Sequence, residues 1–310
     1  MLRQARKHLD LAHLAYRWHK VRRGVEEYGL RRALQGLVRL ARYQLQRPEA
    51  GVIRTAREGI EVHFRYPRQF MPTLALFSAL VEPEYELMRH VLTRDSVFVD
   101  VGGGIGTYTM LAAHYVDQVI HVFEPTGEGT RAIEHNLRAN RLAERVSLQR
   151  CALSDRRGTL EMTRRESLFV GRMAEPGANA GAATTETVAT TTLDAYCSEH
   201  GLDRIDVLKV DVEGHETQVL AGAERMLDEG RIDLMILEVD AEKAGLYQSL
   251  AERGYAVFYY HPRAHSLARV QPLTAERLAA AKPKGFHCNI VCVRQAALSK
   301  LCERASLILT

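Results

Sequence analysis

The sequence predicts an α/β protein built on a mostly parallel sheet with helices on both faces. Two observations carry this. Residues 97 to 109, VFVDVGGGIGTYT, run from apolar and β-branched residues through Asp100 into Gly102, Gly103, Gly104 and Gly106 and then a helix-like stretch. That is a strand, a tight turn and a helix start. Strand-like and helix-like segments then alternate toward the C-terminus, with IDVLKVD (205 to 211) and RIDLMILEVD (231 to 240) as runs suited to strands buried on both faces. In such sheets a ligand lies over the carboxyl ends of the strands. Asp100, Glu124, Asp211 and Glu238 all fall at such ends.

The chain opens with a basic helical extension over 1–50. Leu30, Ala33, Leu34, Leu37, Val38, Ala41 and Leu45 recur at three- and four-residue steps with Arg31, Arg32, Arg39 and Arg42 off the stripe. An earlier stripe holds Leu11, Leu14, Trp18 and Val21. Through Arg47 there are twelve Lys or Arg against three acids, a net of +9 in a chain of net +4, so the remainder carries −5. The leading reading is a pair of helices that pack on the core or join a homodimer; peripheral contact with an anionic membrane comes second, and nucleic acid is disfavoured. Next, 51–95 reads as a hairpin and entry segment. VIRTAREGIEVHFRY (52 to 66) alternates around Glu58-Gly59, and Pro67, Pro72 and Pro83 punctuate a stretch able to cap a cleft.

The main domain is expected over 96–296. After a helix from Thr107 to Tyr115, VIHVFE (119 to 124) forms a second strand whose Glu124 lies 18 residues beyond Gly106. A carboxylate there can accept ribose hydroxyls, and at a strand end its replacement should spare the fold. The alternative is a solvated strand-end acid. Asn136 and Asn140 sit on the next helix, and two short strands flank Arg157-Gly158. Residues 171 to 185, GRMAEPGANAGAATT, suggest a mobile loop. ETVATTTL resumes as a strand, LDAYCSEHG is a helix stopped by Gly201, and a helix over 241 to 253 is stopped by Gly254. YAVFYY and HCNIVCVR supply the last two strands, separated by an insert that is not a helical crossover, which fits an antiparallel final strand. Residues 297–310 read as a C-terminal tail.

Glycine spacing narrows the ligand. A dinucleotide turn needs Gly-x-Gly-x-x-Gly, and from Gly102 the third glycine falls on Thr107. Asp-x-Gly-x-Gly-x-Gly, from Asp100 to Gly106, instead resembles the first motif of class I S-adenosylmethionine-dependent methyltransferases. With FEP at 123 to 125, Asn136, Asn140, VSLQRCALSD at 146 to 155, TTLD at 191 to 194 and DVLKVDVEGHETQVLAGA at 206 to 223, the chain resembles the FkbM family of such enzymes from about Ser96 to Asp240. Many of these methylate hydroxyls on natural products or sugars. Two departures stand out: Gly103-Gly104 where the family more often shows Ala-Asn, and a long linker over 164 to 190.

The resemblance implies a class I methyltransferase Rossmann-like fold with a mostly parallel seven-stranded sheet, and S-adenosyl-L-methionine as cofactor. Its contacts are expected from Asp100, Gly102, Gly104, Ile105, Gly106, Thr107, Tyr108, Glu124, Pro125, Cys151, Ala152 and Asp211. The turn amides and helix start suit a carboxylate, Asp100 and Asp211 the ammonium end, and Cys151-Ala152 the purine. The expected activity is O-methylation of a small-molecule hydroxyl.

For proton removal the best cluster is Asp211, Glu213 and His215, with His215 titrating nearest neutrality. The competing reading is that this segment only starts a helix. His215-Glu216 is no zinc-protease signature, because Val219 stands where the second His would be. A divalent metal between Asp211 and Glu238 or Asp240 is a minor alternative. Other classes weighed are a ribose or nucleic-acid methyltransferase using the basic arm, a nicotinamide dehydrogenase, a non-catalytic cofactor-binding module, and a scaffold built on the N-terminal helices.

The 310 residues, 46% of them hydrophobic, suffice for one large domain with extensions. Five cysteines at irregular spacing suit a reducing compartment. Cys288 and Cys292 read as core residues on one sheet face, too far apart along a strand for a disulfide. With no signal-peptide or membrane-span pattern, the expected location is cytoplasmic, with the membrane periphery as the variant.

Overall fold

The computed structural model describes residues 21–22, 24–164, 171–173, 184–238, 243–281 and 289–310. Helix α1 (Leu30–Gln46) leads into an antiparallel hairpin, β1 (Ala50–Arg54) with β2 (Glu61–Arg65). Two helices follow, α2 (Pro72–Phe77) and α3 (Pro83–Val91), each opened by a proline in the first turn, where no helical hydrogen bond is lost. The sheet starts with β3 (Phe98–Val101), α4 (Thr107–Tyr115), β4 (Ile120–Phe123), α5 (Gly127–Ala139) and β5 (Val146–Gln149). Strands β6 (Ala152–Leu153), β7 (Gly158–Arg164), β8 (Gly171–Met173) and β9 (Thr184–Thr191) then leave it to form a second sheet, ordered β6-β9-β7-β8.

The chain returns through α6 (Leu193–His200), β10 (Ile205–Val210), α7 (Glu216–Ala221), α8 (Glu224–Asp228), β11 (Ile232–Leu237), α9 (Ala244–Glu252) and β12 (Tyr255–His261). It ends with β13 (Ser266–Arg269), α10 (Ala275–Ala281), β14 (Ile290–Arg294), α11 (Gln295–Ala305) and β15 (Ile308–Leu309). The main sheet is ordered β15-β13-β12-β14-β11-β10-β3-β4-β5. Strands β5, β4, β3, β10 and β11 are mutually parallel, and β14 runs antiparallel between β11 and β12. This is the expected α/β fold with an antiparallel final strand, but with nine strands rather than seven. The extra two, β13 and β15, extend the β12 edge, where Arg269 N–H donates to the Thr310 carbonyl and Thr310 N–H to that of Leu267.

Alternation along the strands fills two cores, one on each face. Val207, Leu234, Ile236, Val291 and Val293 join one cluster with residues of α3, α4 and the hairpin. Leu208, Met235, Leu237, Ile290 and Cys292 join the other with residues of α6 to α9.

Three expectations change. The C-terminal tail is an integral part of the domain, because Leu301, Ala305 and Leu307 are buried in the first core. Residues 171–173 pair with β7 as strand β8 rather than starting a loop; the remainder of that loop up to 183 lies outside the described residues. Of the α1 stripe only Ala33 is buried, together with Gly36, while its leucines are exposed; a Cβ on Gly36 would come within 1.8 Å of the Leu76 carbonyl oxygen. The earlier stripe from Leu11 to Trp18, and Cys288, also lie outside the described residues.

Asn136 and Asn140 join the hairpin to the core. Asn136 Oδ1 accepts from His63 N–H at 2.7 Å, while Nδ2 donates to the carbonyls of His63 at 3.1 Å and Ile105 at 2.8 Å. Asn140 does the same at Glu61, accepting from its N–H and donating to its carbonyl, both at 2.8 Å. Asn136 is fully buried, so Asn136→Ala would leave polar backbone groups unsatisfied. We expect a loss of about 2–3 kcal/mol in urea unfolding; a loss below about 0.5 kcal/mol would mean that water replaces the amide there.

Candidate functional site

The glycine turn lies between the ends of β3 and α4. Gly102 and Gly103 N–H both donate to the Phe123 carbonyl, at 2.9 and 3.2 Å, which folds the turn over β4. Gly102, at φ 81°, lies so close to the end of β10 that a Cβ would come within 1.9 Å of the Asp211 carbonyl oxygen. A Cβ on Gly103 would meet Val122 and Ile133 at 2.7 and 2.8 Å, so bulky neighbours fill the space of the family's alanine. Gly104 differs: φ is 59° and a Cβ would meet nothing within 4 Å. It offers bare backbone facing open space. Amides in the first turn of α4, from Thr107 onward, lack intrahelical acceptors and suit an anionic group. The side chains of Ile105, Thr107 and Tyr108 turn inward; Thr107 Oγ1 lies 2.9 Å from Tyr85 OH, and Tyr108 stacks on Tyr85 at 4.3 Å between ring centroids.

Beneath the turn is a charge network. Parallel pairing of β3 with β10 sets Lys209 beside Asp100. Lys209 Nζ lies 3.3 Å from Asp100 Oδ1 and 3.6 Å from Asp211 Oδ2, and donates to the Gly102 carbonyl at 2.9 Å. Burial pulls the Lys209 pKa down, but the carboxylates of Asp100 and Asp211 outweigh it and hold the ammonium above its usual range. Asp100 is completely buried; Oδ2 accepts from Thr109 Oγ1 at 2.7 Å, whereas Oδ1 has no aligned donor. Asp211 is more open, with 38% of its side chain exposed.

Glu124 follows β4 and is 6% exposed, not a solvated acid. Its Oε2 accepts from Gly104 N–H at 2.9 Å, and Oε1 from Thr126 N–H at 3.0 Å and Thr126 Oγ1 at 2.6 Å. Burial raises its pKa against the pull of these donors. Because this carboxylate ties the turn to the start of α5, Glu124→Ala would cost fold stability. Pro125 is half-buried beside it; Cys151 and Ala152, also half-buried, lie where the chain passes from β5 into the second sheet.

The segment after β10 carries the titratable cluster. Glu213 is half-buried at φ 54°, a left-handed conformation costly for a side-chain-bearing residue, and Gly214 follows at φ 110°. Glu216 steadies this turn by accepting from Gly214 N–H at 3.1 Å, while Lys243 Nζ binds Glu216 and donates to the Gly214 carbonyl at 3.0 Å. His215 is buried, with Nε2 3.0 Å from Ser154 Oγ. Ser154 Oγ also lies 3.0 Å from Asp155 Oδ1, to which it can donate. Burial lowers the His215 pKa despite the charges of Asp155 and Glu216. It provides no side-chain cap to α7.

The sequence singled out Glu238 as a strand-end acid and, in a minor alternative, as a metal ligand with Asp211. Burial, then the negative charges of Asp211, Glu213 and Glu216, push its carboxyl up to about 7, with Lys243 opposing. Lys209 was missed altogether. The available signal was a lysine inside a buried apolar strand, which needs a carboxylate partner. Asp240 lies outside the described residues, and among the described ones no group of three or more His, Cys, Asp or Glu is arranged to hold a metal.

Comparison with known proteins places this geometry in context. Residues 100–257 match the methyltransferase FkbM domain. The 31-O-demethyl-FK506 methyltransferase FkbM of Streptomyces tacrolimicus is 32% identical over 174 residues, spanning 47% of this chain and 65% of that protein. Methyltransferase sdnD of Sordaria araneosa is 28% identical over 161 residues, 43% of this chain and 62% of that protein. The chain thus spans just under two thirds of the length of these curated relatives. A crystal structure of methyltransferase FkbM from Methylobacillus flagellatus KT aligns over 72% of this chain and 52% of its own, at 14% identity and a TM-score of 0.43.

Proposed function

The chain belongs to the FkbM methyltransferase family, and from that premise we propose that it is an S-adenosyl-L-methionine-dependent O-methyltransferase acting on a hydroxyl of a small molecule, sugar or natural product. The observation that carries this reading is the charge balance under the glycine turn. Two carboxylates, Asp100 and Asp211, face one ammonium, Lys209, leaving a negative excess that reaches the surface at the half-exposed Asp211 and suits a ligand ammonium there. The open side of Gly104 and the first amides of α4 suit the adjoining carboxylate. Glu124 accepts from three protein donors and keeps acceptor capacity for ribose, since a carboxylate offers about four lone-pair sites. Cys151 and Ala152 would border the purine. A relative named for methylating 31-O-demethyl-FK506 supports oxygen as the acceptor atom.

Bound there, the cofactor supplies a methyl group on a sulfonium, ready for in-line transfer. The protein must orient the acceptor and take its proton. We assign proton acceptance to Glu238, whose pKa of about 7 matches that task. His215 is the second reading, with Nε2 lying 3.0 Å from Ser154 Oγ. Glu213 and Asp211 then act by raising the Glu238 pKa rather than by taking the proton themselves.

The test is turnover with labelled cofactor and an acceptor found in a metabolite extract. Glu238→Gln should lower turnover about 10²-fold with cofactor affinity intact. Since the base must be ionised, the wild-type rate should climb as pH rises through about 7 and level off above it. If His215→Gln produces that loss and Glu238→Gln does not, the assignment passes to His215. Loss of activity in EDTA, restored by magnesium, would instead give Asp211 and Glu238 a metal-binding role.

A further inference from the structure

Helix α1 is held to the domain by one side and leaves an apolar stripe on another. Ala33 and Gly36 pack on α2, and Arg39 Nη1 donates to the Ala75 carbonyl at 2.9 Å and to Ser78 Oγ. Away from this contact Leu30, Leu34, Leu37, Val38 and Leu45 are 60, 55, 50, 73 and 83% exposed. With exposed Ala41 they fall, at 3.6 residues per turn, within one arc of roughly 100°. Exposed Arg31 and Arg42 border one edge of the stripe, exposed Arg47 follows the helix, and α1 contains no Asp or Glu.

We propose that this face of α1 docks on an anionic phospholipid surface, its leucines among the outer acyl carbons and its arginines at the headgroup phosphates. An interfacial helix needs this pairing of an apolar stripe with adjoining cationic residues. A second copy packed stripe to stripe would bring like-charged arginines together with no carboxylate on either helix to answer them. Nucleic acid would satisfy the arginines but leave the leucines against phosphates. The basic excess of the first 47 residues strengthens attraction to an anionic surface. This inference is independent of the methyl-transfer reading.

The experiment is co-sedimentation of the full chain with vesicles of phosphatidylcholine alone or with about 30% phosphatidylserine. Anionic vesicles should bind about tenfold more protein or better, and raising salt to about 0.5 M should reverse most of that gain. Leu37→Glu with Val38→Glu should abolish binding while leaving the melting temperature unchanged, since both positions are exposed. Equal binding to the two vesicle types, or retention by the double variant, would overturn the proposal. So would a dimer in sizing experiments that dissociates in the double variant while vesicles fail to bind, or preference for a duplex RNA over the anionic vesicles.

Discussion

Lys209→Met should destabilise the protein by about 3–5 kcal/mol, because it leaves a buried carboxylate without its counter-charge. Asp100 is wholly buried and Lys209 Nζ, 3.3 Å away, is the one cation near it among the described ion pairs. The ammonium also donates to the Gly102 carbonyl, so the glycine turn loses an anchor in the same variant. Urea unfolding measures the loss, and the double variant Lys209→Met with Asp100→Asn separates its causes. If the uncompensated charge dominates, neutralising Asp100 should recover much of the stability. No recovery would locate the cost in packing and in the Gly102 contact. A single variant as stable as the parent would remove the network from any structural role.

Gly104→Val should abolish cofactor binding, an effect of at least about 100-fold, or roughly 3 kcal/mol. Its backbone has φ 59°, strained for a β-branched residue, and its Cβ would point into the open space assigned to the ligand. Folding should survive, since that Cβ touches no protein atom within 4 Å. The unliganded melting temperature should fall modestly, while its rise on adding S-adenosylhomocysteine should vanish. A variant that retains the rise would show that the ligand approaches elsewhere.

The parallel core was legible because its strands are long apolar runs separated by helical periods and glycine stops. β10 and β11 end one residue before Asp211 and Glu238, and Gly201 closes α6 in the left-handed conformation. What escaped depends on register and on facing partners. Lys209 is unremarkable along its own strand and becomes a site residue only when β3 sets Asp100 beside it. The enclosure of Glu124 was not legible, because Thr126 and the Gly104 amide, which surround its carboxylate, meet it only after the chain turns. Periodicity identified α1 as amphipathic but not which side docks; there close backbone approach at Gly36 outweighs the leucine stripe. The second sheet pairs β6 with the distant β9 rather than with neighbouring β7, an arrangement no local pattern specifies.

Calorimetric titration of the purified chain with S-adenosylhomocysteine, run beside the same titration with NAD, tests the central claim most directly. The charge balance at Asp100, Lys209 and Asp211, with Gly104 open above it, predicts saturable one-to-one binding of S-adenosylhomocysteine, lost in Gly104→Val, and no heat from NAD. Saturable binding of NAD with none of S-adenosylhomocysteine would contradict it.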